Sequence, residues 1–545
     1  MDMTRRSVLT ATGLGALGVM GYTGLTRPLG NEVLTKSASG LSDRNFPRPY
    51  RATFRPLPTL APYEVAVEDG VRVERYAVSA RVGTAQILPT LTTPVIGYDG
   101  SVPGPTISVE RGTRVHLRVR NKLYGVQHPE DREHSHPSGL VLSTHLHGHA
   151  SLPEYDGYAD DRTIPGYYKD YVYENDQPAR TIWYHDHATH LTTRNVYSGL
   201  AAQYHIKDEA ERALLPQGEF DVPMTLSDIM FEADGTARFD DKDHSGLWGD
   251  IVLVNGQPWP VMKVKRRVYR FRVLNASISR SYRPYLSTGD AVHMVATDGG
   301  LMPRTQSVTT WRHAPAERYE FLVDFSRYAA GTQVNLLNSS NPKNVDFDHT
   351  GKIMAFKVVD DPVDTSDPTW RTIPTTLVPS DTMSLTPAQS VRTRYLELKK
   401  SDLTNVWNIN GTTWQDVVAS GYTSVLADPG LHAVEMWDLH TSSGGWFHPL
   451  HIHLVDFQIV SRNGKAPYAW ERGPKDVAYV GPDEKVRVLM RFDRPGRYMV
   501  HCHNLPHEDH DMMGQFRVGL AAGASDPHDP LTAARPALDT FPEQL

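Results

Sequence analysis

The stretch Arg497-Tyr-Met-Val-His-Cys-His-Asn-Leu-Pro-His-Glu-Asp-His-Asp-Met-Met513 contains Cys502, the only cysteine among 545 residues. Tyr498, Val500 and Cys502 alternate with Met499, His501 and His503, the period-two pattern of a strand running into a loop. Successive strand side chains point to opposite faces, so the thiol takes one face and both imidazoles the other. One short segment is thereby able to serve two separate metal sites. His507 and Met512 follow five and ten residues after the cysteine.

Cys, His and a weakly held axial Met are protein ligands of a blue-copper site, which needs one more His. Three further His-x-His pairs stand where strands are expected: His145 and His147, His185 and His187, and His451 and His453 within His448-Pro-Leu-His-Ile-His453. In extended chain, residues i and i+2 share a face, so each pair is able to reach one cluster. With His501 and His503 this makes eight imidazoles in four pairs, more than one metal ion takes, and a polynuclear centre is implied. His448 is left over before Pro449 and completes the set around Cys502. His134, His136, His149, His190 and His510 read as surface or neighbouring groups, and His293 and His313 as ordinary partly buried histidines.

Composition narrows the class. Hydrophobic content of 39%, with 41 Gly and 39 Pro, suits a turn-rich β protein. A net charge of -7 gives no basic footprint, so nucleic acid is not an expected partner. A single cysteine forbids an intramolecular disulfide and any two-cysteine zinc or iron–sulfur site. At about 150 residues per domain, three to four domains are expected.

A repeat sharpens that number. The phrase Tyr98-Asp-Gly100 leads into a strand in which Val115, Leu117 and Val119 alternate with polar residues. Related phrases recur at Val254-Asn-Gly256 with Val268-Tyr-Arg-Phe-Arg-Val-Leu-Asn275, and at Ile409-Asn-Gly411 with Val434-Glu-Met-Trp-Asp-Leu-His440. The turn glycines at 100, 256 and 411 lie 156 and 155 residues apart. Three copies of one β domain follow, expected at 45–212, 213–372 and 373–525, with boundaries in Lys207 to Met224 and near Val359 to Thr393. The tail from 526 to 545 reads as loosely ordered.

These motifs, in this order, resemble the multicopper oxidases, over nearly the whole chain after the N-terminal segment. The resemblance is nearest to the bacterial three-domain laccase-like branch of spore-coat laccase, bilirubin oxidase and phenoxazinone synthase. Asn195-Val-Tyr-Ser-Gly-Leu200, His448-Pro-Leu-His-Ile-His-Leu-Val-Asp-Phe457 and His507-Glu-Asp-His-Asp-Met-Met513 carry that branch. The resemblance implies an all-β chain of three consecutive cupredoxin-like Greek-key sandwich or barrel domains, with no ligands in the central one. It implies four copper ions: a type 1 ion on His448, Cys502, His507 and axial Met512, with Met513 the rival. The type 2 ion would take His145 and His451, and the type 3 pair His147, His185, His187, His453, His501 and His503. Glu508 and Asp156 would relay the protons that dioxygen reduction consumes. The implied activity is one-electron oxidation of phenolic, aminophenolic or related aromatic reductants near His507, coupled to reduction of dioxygen to water. A cuprous-ion oxidase would carry a Met-rich segment over the type 1 site, and none is evident among the 15 Met. A copper-free scaffold on the same fold would have lost the ligands, and all twelve positions hold them.

The N-terminus reads Thr4-Arg5-Arg6-Ser7-Val8-Leu9 before a Gly-rich, mildly apolar run to Leu25, the pattern of a twin-arginine export signal within residues 1–44. A periplasmic or extracellular protein is expected, with no stable membrane insertion beyond the signal.

Overall fold

The computed structural model describes residues 38–127, 134–241, 244–521 and 523–540. The Arg5-Arg6 segment lies outside them. Among the described residues no helix is long and apolar enough to cross a membrane.

The chain is predominantly β and folds as three successive pairs of sheets. In the first third, a sheet built on Val71–Ala85 and Arg114–Asn121 faces a four-stranded sheet containing Thr144–His147 and Arg180–Asp186. Tyr76, Val78 and Leu117 from one sheet meet Ile182 and Tyr204 from the other in a single apolar core. The central third pairs a seven-stranded with a four-stranded sheet around the largest core. In the last third a five-stranded sheet faces a four-stranded one in which His448–Ile452 and Gly496–Cys502 are neighbours. Inward side chains from two sheets making one core is the sandwich solution.

Each third repeats one local device. Asp99–Gly100, Asn255–Gly256 and Asn410–Gly411 all have positive φ at both positions, between 51° and 77°. That is the two-residue hairpin turn whose twist matches the flanking strands, and it favours Asn or Asp followed by Gly. The side chain is also used. Asp99 Oδ1 accepts from the Ser79 N–H at 2.9 Å, Asn255 Oδ1 from the Thr225 N–H at 2.7 Å, and Asn410 Oδ1 from the Glu397 N–H at 2.7 Å. In each third the earlier strand that donates to this side chain pairs in parallel with a strand beyond the turn: Val71–Ala85 with Arg114–Asn121, Asp221–Ile229 with Val268–Asn275, and Arg392–Lys400 with Val434–Thr441. The expected alternation holds, with Val115, Leu117 and Val119 all buried.

The tail differs from its expected loose order. Ala537–Leu538 adds a short antiparallel strand to Tyr167–Tyr168 of the first sheet. Arg497 Nη2 holds Asp529 at 2.6 Å, and Leu531 packs with Tyr158, Trp414 and Met513. Composition missed this because the tail's partners are distant in sequence and supply the apolar surface that the tail lacks.

The turn device makes a graded prediction. Asn255→Ala leaves the buried Thr225 N–H unpaired and should cost about 1–3 kcal/mol, whereas Asn410→Ala, at an exposed turn, should cost less. Thermal unfolding of the two variants checks this. Equal losses would show that the side-chain bond contributes nothing beyond the turn itself.

Candidate metal centre

Every His-x-His pair stands at the end of a strand: Thr144–His147, Arg180–Asp186, His448–Ile452 and Gly496–Cys502. Antiparallel register sets His145 opposite His185, and His451 opposite His501. The eight imidazoles are buried, and their nearest rings stack or meet edge-on, as His145 on His453 at 4.0 Å and His147 on His451 at 3.6 Å between centroids. Ligand atoms fall into three groups: His145, His451 and His453; His147, His185 and His503; and His187, His453 and His501.

The hydrogen bonds divide the ring nitrogens into an outer and an inner set. His185 Nδ1 meets the Asp186 carbonyl at 2.7 Å, His451 Nδ1 the Asp476 carbonyl at 2.9 Å, and His145 Nδ1 the Asp156 carbonyl. His453 Nδ1 lies 2.8 Å from Asp156 Oδ2, and His501 Nδ1 lies 2.8 Å from Glu508 Oε2. A neutral imidazole has one N–H and one lone pair. Where an outer nitrogen donates its proton, the inner one turns a lone pair inward. The inner nitrogens of His145, His185 and His451 have no hydrogen-bond partner despite burial, as do Nδ1 of His147 and both ring nitrogens of His503. His187 Nε2 and His453 Nε2 each approach His501 Nε2 to 3.1 Å. Buried polar atoms are normally paired, and convergent unpaired lone pairs are what metal ions satisfy. Burial lowers all eight imidazole pKa values, which keeps the rings neutral, as ligands must be.

The other face of the same strand end carries Cys502. Its Sγ lies 3.4 Å from His448 Nδ1 and 3.7 Å from His507 Nδ1, and the two nitrogens are 3.2 Å apart. His507 donates from Nε2 to the Ser245 carbonyl at 2.9 Å, so its Nδ1 lone pair faces the thiol. Met512 is buried in the same apolar cluster as Cys502, while Met513 packs in a separate one with Tyr158 and Trp414. That separates the two methionines by environment.

Other histidines stand apart. His149 pairs with Ser151, His190 with the Asp509 carbonyl, and His510 with Asp241. His313 is fully buried and meets the Glu317 carbonyl. His507 is the residue near which the resemblance places oxidation of the reductant. It is fully buried, the Ser245 carbonyl accepts from its outer nitrogen, and Trp407 stacks on its face at 3.8 Å. A cavity of ≈ 800 Å³ is lined by Trp407, His510, Asp511, Asp241 and His244.

Several residues around the site were not singled out in the sequence. Asp186, between two of the histidines, is buried and takes hydrogen bonds from Ser143 N, Ala188 N and Asn195 Nδ2, so Asn195 serves a partner nine residues away. Asp476, Arg318, Ser245 and Trp407 come from stretches with no motif of their own. Only Trp407 had a signal, since it stands two residues before the third copy of the turn phrase.

Comparison with known proteins agrees with this chemistry. Sequence profiles described as multicopper oxidase match residues 80–211 and 386–521. A bilirubin oxidase from Albifimbria verrucaria is 38% identical over 499 residues, covering 86% of this chain and 82% of that protein. The chain belongs to the multicopper oxidase family. A laccase from Bacillus subtilis (strain 168) is 32% identical over 482 residues, covering 79% of this chain and 90% of the laccase. The crystal structure of a laccase from Pediococcus acidilactici superposes with a TM-score of 0.72 at 28% identity, covering 89% of this chain and all of that one. This multicopper oxidase is therefore a copper-dependent, laccase-like oxidoreductase that uses dioxygen and a reducing substrate, and its histidine groups fit copper.

The two faces of the strand end are separable by mutation. Cys502→Ser should abolish the blue absorption that copper–thiolate bonding gives and remove about one copper per chain, leaving the copper held by the eight histidines. Metal analysis with an absorption spectrum checks this, and a variant that stays blue would contradict it.

Proposed function

We propose that this multicopper oxidase holds four copper ions and oxidises phenolic, aminophenolic or related aromatic reductants. His448, Cys502, His507 and axial Met512 would hold a type 1 ion. His145 and His451 would hold a type 2 ion, and His147, His185, His187, His453, His501 and His503 a type 3 pair. The observation that carries this reading is the inward set of unpaired imidazole nitrogens beside a separate thiol and two further Nδ1 atoms. The three domains would divide at 45–212, 213–372 and 373–525. The Arg5-Arg6 segment would export the folded protein by the twin-arginine route to the periplasm or exterior.

Bound copper supplies one-electron oxidation of the reductant at the cysteine site and four-electron reduction of dioxygen to two waters at the histidine cluster. The chain's own part is connection and protons. Cys502 is bonded through the backbone to His501 and His503, so one strand end spans both sites. Glu508 Oε2 lies 2.8 Å from His501 Nδ1, and Oε1 lies 3.7 Å from His187 Nδ1. Burial pushes its carboxyl up to about 7, against the pull of His187, so Glu508 is able to hold and release a proton near neutrality. Asp156 Oδ2 faces His453 Nδ1, and burial holds that carboxyl well above its usual range. Both acids would therefore serve as relays.

The aromatic class is supported by the bilirubin oxidase and laccase relatives and by the cavity against Trp407. Faster steady-state oxidation of Cu(I) than of 2,6-dimethoxyphenol, aminophenol and bilirubin would overturn it in favour of a metal oxidase.

The relay reading has a signed pH dependence. A raised carboxyl stays protonated up to about pH 7 and loses its proton above it, so donation from Glu508 fails as pH rises through that value. Glu508→Gln should lower dioxygen-limited turnover by about 10²–10⁴-fold, with copper content unchanged, and should remove that alkaline decline. A variant with wild-type turnover and pH profile would eliminate Glu508 as a relay.

A further inference from the structure

The central third holds none of the proposed copper ligands, yet it reaches the histidine cluster through the buried side chains of Arg318 and Asp298. We propose that Arg318 and Asp476 form a positioning clamp that sets the orientation of His147 and His451, so that the central domain governs copper retention at the histidine cluster. This rests on the proposed assignment of that cluster to copper.

Asp476 touches one histidine from each end of the chain. Its Oδ1 lies 3.1 Å from His147 Nε2, and its backbone carbonyl lies 2.9 Å from His451 Nδ1. His147 thus offers its Nε2 proton to the carboxylate and turns its unpaired Nδ1 inward. This is the opposite tautomer from His185 and His451, whose Nδ1 atoms face outward. Without an acceptor at Oδ1, no other hydrogen bond among the described residues selects that tautomer or holds the ring against His451.

The carboxylate is itself held. Arg318, on the central strand Arg318–Asp324, grips it with two nearly parallel bonds, Nη1 to Oδ1 at 2.7 Å and Nη2 to Oδ2 at 2.5 Å. A planar fork meeting a carboxylate in this way fixes direction as well as distance. The remaining guanidinium N–H groups are also used: Nε donates to the Thr181 carbonyl, Nη1 to that of Ala316 and Nη2 to that of Asp298. All five donors of the side chain are therefore satisfied, and the group has no slack. Asp298 completes the clamp from the central domain, with Oδ1 accepting from Arg318 N, and Oδ2 from Asp476 N and Val477 N. Val477 is the register partner of His451, so the same contact anchors the strand beside that ligand.

Gly148 shows how closely the clamp approaches the ligand loop. A Cβ at this position would lie 2.6 Å from Arg318 Nη2 and 2.7 Å from Asp476 Oδ2. The glycine between His147 and His149 is where guanidinium and carboxylate pack against the backbone, and its φ of 91° suits glycine.

A buried ion pair between domains also has a purely structural reading, in which its loss loosens the whole protein. The two readings separate by site. Full-length Asp476→Asn and Arg318→Lys are loaded with copper and compared with wild type for copper per chain, blue absorption, electron paramagnetic resonance and copper loss to a chelator. The clamp predicts that copper at the histidine cluster leaves about 10- to 100-fold more readily, with an altered type 2 resonance, while blue absorption at Cys502 persists. Gly148→Ala presses on the same contact without changing a charge and should give the same selective loss, which keeps the test open if a charge variant does not fold. Wild-type retention and resonance in all three, or equal loss at both sites, would overturn the clamp. Wild-type protein that holds no copper at the histidine cluster would instead refute the assignment on which the clamp rests.

Discussion

The structure depends on the pleat of one strand end. Because side chains alternate across a strand, Cys502 and its two histidine neighbours cannot share a site. The thiol therefore faces His448 and His507 while His501 and His503 enter the cluster of eight imidazoles. Each remaining pair repeats the constraint at its own strand end, and antiparallel register brings the pairs together two by two. Burial then removes water as a hydrogen-bonding partner, so the orientation of six of the rings is set by the carbonyl or carboxylate that reaches the outer nitrogen.

This places the energetic burden on a second layer of polar groups. Eight neutral imidazoles, several with unpaired inner nitrogens, are costly to bury, and an outer partner holds a ring against turning. Asp156, Asp476 and Glu508, together with the carbonyls of Asp156, Asp186 and Asp476, supply those partners. The same logic accounts for the shielding of the thiol site. The Ser245 carbonyl holds the outer nitrogen of His507, and Trp407 stacks on its face.

Much of this was legible in the chain. Alternation around Cys502, the four His-x-His pairs and the recurrent Asp/Asn-Gly turns are local patterns, and local patterns survive folding because strand and turn geometry act over a few residues. The repeat at Gly100, Gly256 and Gly411 conveyed three similar units, and the structure adds the reason, a side-chain bond back to an earlier strand in each. What stayed hidden depends on long-range contact. Arg318 and Asp476 are 158 residues apart, and neither stands in a motif. The covering of His507 depends on Ser245, from a loop of the central third. The tail's short strand exists only because Tyr167–Tyr168 offers an edge. Residue type marks the donors of a metal site more readily than it marks what aims them.

Anomalous diffraction at the copper edge, from crystals of the copper-loaded full chain, tests the central claim most directly. The account predicts one peak among Cys502, His448 and His507, and three more within the histidine cluster, with His501 and His503 contacting the latter. A peak shared by Cys502 and either flanking histidine, or a histidine cluster without copper in protein that is blue, would contradict the division of this strand end between two sites.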